Sequence, residues 1–449
     1  MSSVSQNAAS DAGLRRQLTA GQMAMVGVGG SIGTGLLLGS GAAVRIAGPA
    51  VILSFAAAAL ITWTVTMALG EMASLHPSAG SFGTYAELYL NPWAGFISRY
   101  GYWLAIAIAI GGELVASATY MHYWFPGVHA IVWIVLFAAG LIAINLRTVG
   151  DYGRFEFWFA MIKLVTIAAF IVLGAALLLT RRVPPQYAAT GGFFPNGHTA
   201  PPLAMSFSLF TFAGIEMVAI SSGESRSRQE IPRAVRLTFG LLTVVYMGAI
   251  VVLVGVMPWN GAGVTESPFV TVFRHVGLPA ASHVMNFVVL SAALSGANAS
   301  LYVDSRTLFS LARGGYAPAA LGRLSATGAP LRALLVSSFG IVVAVVMEKW
   351  APQDAFVYLL GAALFGAMLA WLVALAAHIR FRARLTPDGL AALPMRSPGG
   401  ATASIVGFVA IVASLAATWW YSRVTVLSGV VYIVGLSAAY LLARTKSKG

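Results

Sequence analysis

The chain has no cysteine among its 449 residues, which excludes disulfides, thiol catalysis and cysteine-ligated metal. Charge is scarce as well: 9% of residues are Asp, Glu, Lys or Arg, against about 25% in an ordinary soluble domain. The seven histidines (76, 122, 129, 198, 275, 283 and 378) are scattered and form no H-E-x-x-H or triad-like grouping. A metal centre, a catalytic set and a cofactor are therefore not expected. Residues 1–19 carry two arginines and no apolar core, so a short polar tail is expected there and not a cleavable signal peptide.

Hydrophobicity fills the space that charge leaves. Apolar residues make up 58% of the chain and the mean hydropathy is +0.82, values of a polytopic membrane protein. At roughly 20 apolar residues per crossing, about twelve runs come near spanning length. They are 20–44, 49–74, 95–124, 128–146, 156–180, 202–222, 237–258, 281–312, 331–348, 354–378, 402–420 and 426–443. Breakers such as Gly48-Pro49, Asn91-Pro92 and Pro184-Pro185 separate them.

A net charge of +13 would suggest nucleic acid in a soluble protein, but the placement of the charges argues otherwise. With the N-terminus inside, 21 of the 27 Lys and Arg fall on the inner side or near inner helix ends and 6 outside. Arg226, Arg228, Arg233 and Arg236 share one inner loop, and Arg380, Arg382, Arg384 and Arg396 another. That asymmetry is the positive-inside rule. Both termini are expected in the cytoplasm, with lipid and not nucleic acid as the surrounding partner.

Inside the first run lies Gly27-Val28-Gly29-Gly30-Ser31-Ile32-Gly33-Thr34-Gly35. Glycine is a poor helix former, and a break at membrane depth is tolerated only where the freed backbone lines a cavity or is buried in protein. A dinucleotide fingerprint fails here, because the spacing is G-x-G-x-x-x-G and the first acidic residue after it is Glu71. Helix packing through small-xxx-small pairs (Gly29/Gly33, Gly35/Gly39) is the competing reading. The sixth run holds a second break, Phe210-Thr211-Phe212-Ala213-Gly214-Ile215-Glu216. Five runs over 20–180 and five over 202–378 suggest two inverted halves, with 402–443 peripheral and 444–449 a basic cytoplasmic tail. Breaks at matching positions of two halves point to a transport site.

Ionisable residues within the membrane are functional candidates, since each costs roughly 2.5–3.5 kcal/mol at a helix centre on insertion scales. Glu113, Lys163 and Glu216 qualify. Snorkelling competes for Lys163, and a structural hydrogen bond for Glu113 and Glu216. Glu71 and Glu224 fall near helix ends, where a solvated or capping role is expected, and Asp304 is expected to pair locally with Arg306. Asn298 is a further polar candidate, with a helix–helix hydrogen bond as its alternative.

Seven ordered motifs carry a resemblance. They are G-S-I-G-T-G-L (30–36), L-G-E-M-A (69–73) with P-S-A-G-S-F-G-T-Y-A (77–86), F-E-F-W-F-A-M-I-K (155–163), F-T-F-A-G-I-E (210–216), I-P-R-A (231–234), S-R-T-L-F-S-L-A-R-G-G-Y-A-P (305–318) and H-I-R-F-R (378–382). Together they resemble the amino acid transporter family of the amino acid–polyamine–organocation superfamily, bacterial permeases of the cytoplasmic membrane.

The resemblance implies an all-α, LeuT-like fold of ten helices in two inverted repeats, helices 1 and 6 discontinuous, plus two peripheral helices. It places the substrate carboxylate on the backbone N–H groups of Gly33, Thr34 and Gly35. The substrate ammonium falls on carbonyls of Ile32, Phe210 and Ala213, with Gly214 and Asn298 nearby. Phe210 and Glu216 are the gating residues. A lysine on the fifth helix standing in for a cation implies proton coupling through Lys163, with Glu113 its carboxylate partner.

The chain departs from the pattern at Leu37, at Ser227-Arg228 and at Gly361-Ala362-Ala363, the last suggesting room for a bulky apolar side chain. The expected function is proton-coupled import of a neutral amino acid, bulky apolar and aromatic ones included, by alternating access. The alternatives are an exchanger, a permease for cationic or γ-amino acids in which Glu113 reads a substrate amine, or a non-transporting amino acid sensor.

Overall fold

The computed structural model describes residues 17–78, 80–146, 152–189, 191–325 and 329–446. Most of the tail expected over 1–19, the last three residues of the expected C-terminal tail and the side chains of Phe155 and Glu156 lie outside them. Among the described residues the chain is helical, and every one of the twelve apolar runs holds helix. Nine helices among the described residues are long and apolar enough to cross a membrane, so the protein is a multi-pass membrane protein.

The others fall short for physical reasons. The first run is cut into α1 (Ala20–Ser31), a π-helical turn (Gly35–Gly39) and α2 (Ser40–Ala47). The sixth is cut into α8 (Ala200–Thr211) and α9 (Met217–Ile220). At 1.5 Å per residue, a 12-residue piece such as α1 reaches about 18 Å, well under the roughly 30 Å of hydrocarbon.

Between the broken runs come α3 (Val51–Leu75), the short α4 (Ser81–Tyr89), α5 (Pro92–His122), α6 (Ala130–Asn145) and α7 (Tyr152–Leu179). After α9 follow α10 (Glu230–Val256), the short α11 (Pro268–His275), α12 (Pro279–Arg313), α13 (Leu331–Ser337) and α14 (Phe339–Trp350). The chain ends with α15 (Ala355–Ala383), α16 (Pro387–Ala391), α17 (Gly400–Tyr421) and α18 (Arg423–Lys446).

The broken runs sit in the interior and the apolar faces of the outer helices point outward. On α7, Trp158, Ile162, Val165 and Val172 are exposed and share one face at helical spacing. Lys163, on the same helix, is 2% exposed and faces the core. It does not snorkel. Peripheral α17 and α18 likewise expose Val406, Val409, Trp420, Val431 and Val434, a surface suited to lipid.

Motifs far apart in sequence meet in space. Glu71 of α3 is 0% exposed, contrary to a solvated end position. It receives Arg382 of α15 in a two-pronged ion pair, Nε at 2.8 Å and Nη2 at 2.7 Å. The Ser397 N–H also donates to it, and His378 Nε2 lies 3.5 Å away. His378 Nδ1 in turn pairs with Ser404 of α17 at 2.7 Å. Glu87 of α4 binds Arg99 of α5 at 2.8 Å and accepts from the Tyr316 hydroxyl at 2.8 Å. The Glu71 cluster ties α3 to α15 and the loop before α17, and the Glu87 pair ties α4 to α5.

Candidate transport site

The first break begins where α1 runs out of helical geometry. Ile32 is extended (φ −80°, ψ 90°) and its N–H closes the last turn on Val28. Gly33 N–H then turns back to the Ser31 carbonyl at 3.1 Å. The Thr34 N–H has no carbonyl partner in the helix and donates instead to Glu113 Oε1 of α5, at 3.3 Å. Gly33 makes this approach possible, since a Cβ there would stand 2.7 Å from the same carboxylate oxygen. Gly296 of α12 leaves the room on the far side, its Cβ position 3.4 Å from the Glu113 carboxyl carbon. Glu113 Oε2 is buried without a hydrogen-bond partner.

The second break adjoins the first. Gly214 adopts φ +101°, a conformation open to glycine and costly for other residues, and a Cβ on it would lie 2.6 Å from the Gly30 carbonyl oxygen. Thr211 Oγ1 donates to the Gly35 carbonyl at 3.2 Å. The Phe210 ring covers Gly35, with Cδ1 3.1 Å from where a Cβ would be. The Phe210 carbonyl accepts from Ala213 N–H at 3.0 Å.

Glu216 anchors the inner side of this turn. It is 2% exposed, accepts from its own loop at Gly214 N–H (3.0 Å) and from the Trp371 indole of α15 (3.2 Å), and faces the Tyr102 hydroxyl of α5. Lys163 extends from α7 to the Gly29 carbonyl at 3.4 Å, in the last turn before the first break. Its ammonium acts electrostatically on Glu113.

Of the residues expected from sequence, the structure thus gathers Ile32, Gly33, Thr34, Gly35, Phe210, Ala213, Gly214, Glu216, Glu113 and Lys163 around two touching breaks. Asn298 stands apart. Among the described residues its side-chain partner is Asn145 of α6, at 2.8 Å, a helix–helix hydrogen bond and not a contact with either break. Gly361 also departs from expectation: a Cβ there would meet Thr425 Oγ1 of α18 at 2.2 Å. Its missing side chain makes room for a peripheral helix.

Sequence reasoning missed Thr211, Tyr102 and Trp371, and also Ser267, whose hydroxyl donates to the Leu37 carbonyl at 2.7 Å. Only Trp371 left a trace, as an indole N–H inside an apolar run that needs an acceptor.

Two broken helices are thus in contact, with a buried ammonium and two buried carboxyls around them. The profile described as amino acid permease matches residues 22–443. The chain belongs to this family. The permease is 35% identical to the uncharacterized amino acid permease YtnA of Bacillus subtilis, covering 95% of this chain and 94% of that protein. It is 36% identical to the gamma-aminobutyric acid permease of Bacillus subtilis (86% and 84% covered). It is also 36% identical to the aromatic amino acid transport protein AroP of Escherichia coli (84% of each).

Among solved structures, a manganese transporter of Eremococcus coleocola superimposes with a TM-score of 0.63 over 95% of this chain and 94% of the other, at 13% identity. That likeness concerns the fold alone, which is the LeuT-like transporter fold. The permease is therefore a membrane transporter of amino acids and not an enzyme.

Proposed function

We propose that this permease imports a neutral amino acid across the bacterial cytoplasmic membrane by proton symport, with both termini in the cytoplasm. The observation that carries the reading is the Glu113 carboxylate on the Thr34 N–H. A helix start with a free N–H and a positive dipole end is an anion seat, and Glu113 fills it as a substrate carboxylate would. The two anions compete for one donor.

A proton delivered to Glu113 weakens its claim on Thr34 and frees the seat. The substrate carboxylate then takes the Thr34 N–H while its ammonium turns to the Phe210 and Ile32 carbonyls. Lys163, held at Gly29, supplies the positive charge that sodium supplies in other transporters of this fold. Phe210 closes over the substrate, and Glu216 holds the Gly214 turn during the movement. One extra charge carried inward gains about 2.3 kcal/mol per 100 mV, enough for roughly fifty-fold accumulation at about 1.4 kcal/mol per decade.

The test is uptake of a panel of radiolabelled amino acids into proteoliposomes under an inward proton gradient without sodium. Accumulation of a neutral amino acid, collapsed by a protonophore and lost in Lys163→Ala, supports symport. Uptake that needs internal substrate and ignores the gradient overturns it in favour of exchange. A second reading, a γ-amino acid substrate, is favoured by one feature: the unpartnered Glu113 Oε2 could receive a distal amine. Preference for γ-aminobutyrate in the same panel would select it, in keeping with the 36% identity to the permease named for that compound.

A further inference from the structure

Asp304 lies on α12, in the S-R motif region but away from both breaks. Instead of pairing with Arg306, it is 0% exposed and neither of its carboxyl oxygens has a hydrogen-bond partner. Arg306 turns the other way, its guanidinium over the Tyr302 ring at 3.2 Å and bonded to the Tyr302 carbonyl at 3.1 Å. The groups facing Asp304 are uncharged. Ser337 of α13 is beside it but outside hydrogen-bond geometry; its hydroxyl accepts from the Trp103 indole at 3.0 Å. Tyr102 of α5 and Tyr432 of α18 are within electrostatic reach, and the Tyr432 hydroxyl is itself unpartnered. On α7, which also packs against α12, Lys163 is directed to Gly29.

An ionised carboxylate in that setting would carry a large desolvation cost with no cation beside it to offset it. A neutral carboxylic acid carries far less of that cost. The site is also connected: the Tyr102 hydroxyl faces Glu216, so a charge appearing on Asp304 is felt one side chain away from the carboxylate that holds the Gly214 turn. We propose that Asp304 is a proton-binding site separate from Glu113 and Lys163, occupied in the conformation described and emptied when α12 and α13 part. The ligand is the proton itself. The site adds a second titrating group to the symport cycle proposed above, and in that respect it rests on that reading.

The experiment is infrared spectroscopy of the full-length protein, purified and reconstituted, labelled with carboxyl-13C aspartate. The chain holds only five aspartates, and the label separates their C=O stretch from those of the glutamic acids. The expected result at neutral pH is an isotope-shifted band of a protonated carboxylic acid, abolished in Asp304→Asn. In proteoliposomes Asp304→Asn, which mimics the protonated acid, should keep substrate exchange within about twofold while gradient-driven accumulation falls by about tenfold or more.

Absence of the isotope-shifted band in wild type overturns the proposal, and that measurement stands even if the variant fails to fold. Full accumulation by Asp304→Asn also overturns it. A band that disappears on adding sodium or potassium overturns it as well, in favour of a cation site. The band needs no transport to be seen. If it is present and lost in the variant while wild type ignores the proton gradient, the symport reading has failed and the proton site has not.

Discussion

Glu113 and a substrate carboxylate have the same chemistry, and the Thr34 N–H can serve only one of them at a time. Glu113→Gln should therefore bind substrate with an affinity that no longer varies with pH, while gradient-driven accumulation drops about tenfold or more; calorimetric titration at two pH values beside uptake checks both. Gly214→Ala adds a methyl that meets the Gly30 carbonyl at a backbone conformation costing about 1–3 kcal/mol for a side-chain-bearing residue. It should lower the melting temperature and abolish uptake, whereas Gly240→Ala, with nothing within 4 Å of its Cβ position, should do neither. At this scale the sequence was informative wherever a residue was out of place. Lys163, Glu113 and Glu216 stood out because charge inside an apolar run is expensive. Thr211 did not, since threonine hydroxyls are common in membrane helices and bond the preceding turn, as this one does to the Phe207 carbonyl; Tyr102 and Ser267 carried no charge to mark them. Their partners across helices become visible only when the helices are assembled.

At the scale of elements, the breaks were legible because glycine clusters weaken helix locally, and the long helices because their apolar runs exceed what a soluble core needs. The short helices α4, α11 and α16 were not, having too few residues for a periodicity to register. Nor was the tie that fixes the start of α1. There Gln17 and Leu18 donate to the Glu224 carbonyl at 2.9 Å each, Arg226 N–H returns to Leu18 at 3.0 Å, and Glu230 of α10 caps Ala20 N–H at 2.7 Å. This tie joins the N-terminal end of α1 to the segment after the second break. Both ends of α1 are thus attached to the sixth and seventh runs. Glu230→Gln, which weakens a charge-assisted bond to the Ala20 N–H, should raise the labelling rate of a cysteine placed at Gly21 in this naturally thiol-free chain. An unchanged rate would show that the tie does not restrain α1.

Across the whole molecule, composition identified a membrane protein and motif order pointed to its family, yet neither indicated which distant motifs touch. Glu71 and Arg382 are 311 positions apart and form one buried pair that joins α3 to α15. Glu71→Gln leaves Arg382 without its anion and should cost about 3–5 kcal/mol, read as a lower melting temperature in detergent. The double variant with Arg382→Gln should recover part of the loss, and strict additivity would argue against direct coupling. Glu224 gives a pH signature. Burial lifts its carboxyl above the usual glutamate range, so the folded protein holds that proton more tightly than the unfolded chain. Its contribution is fully present below the ordinary glutamate value and lost as pH rises through the raised one. Glu224→Gln should flatten that stretch of the stability profile. The Glu113 contact also bears on leakage. In the proposed cycle a carrier waiting for substrate keeps its anion seat filled by its own side chain, so no hydrated polar gap stands open across the membrane. A cell holding a standing proton gradient through hours of starvation would lose little of it through such idle carriers.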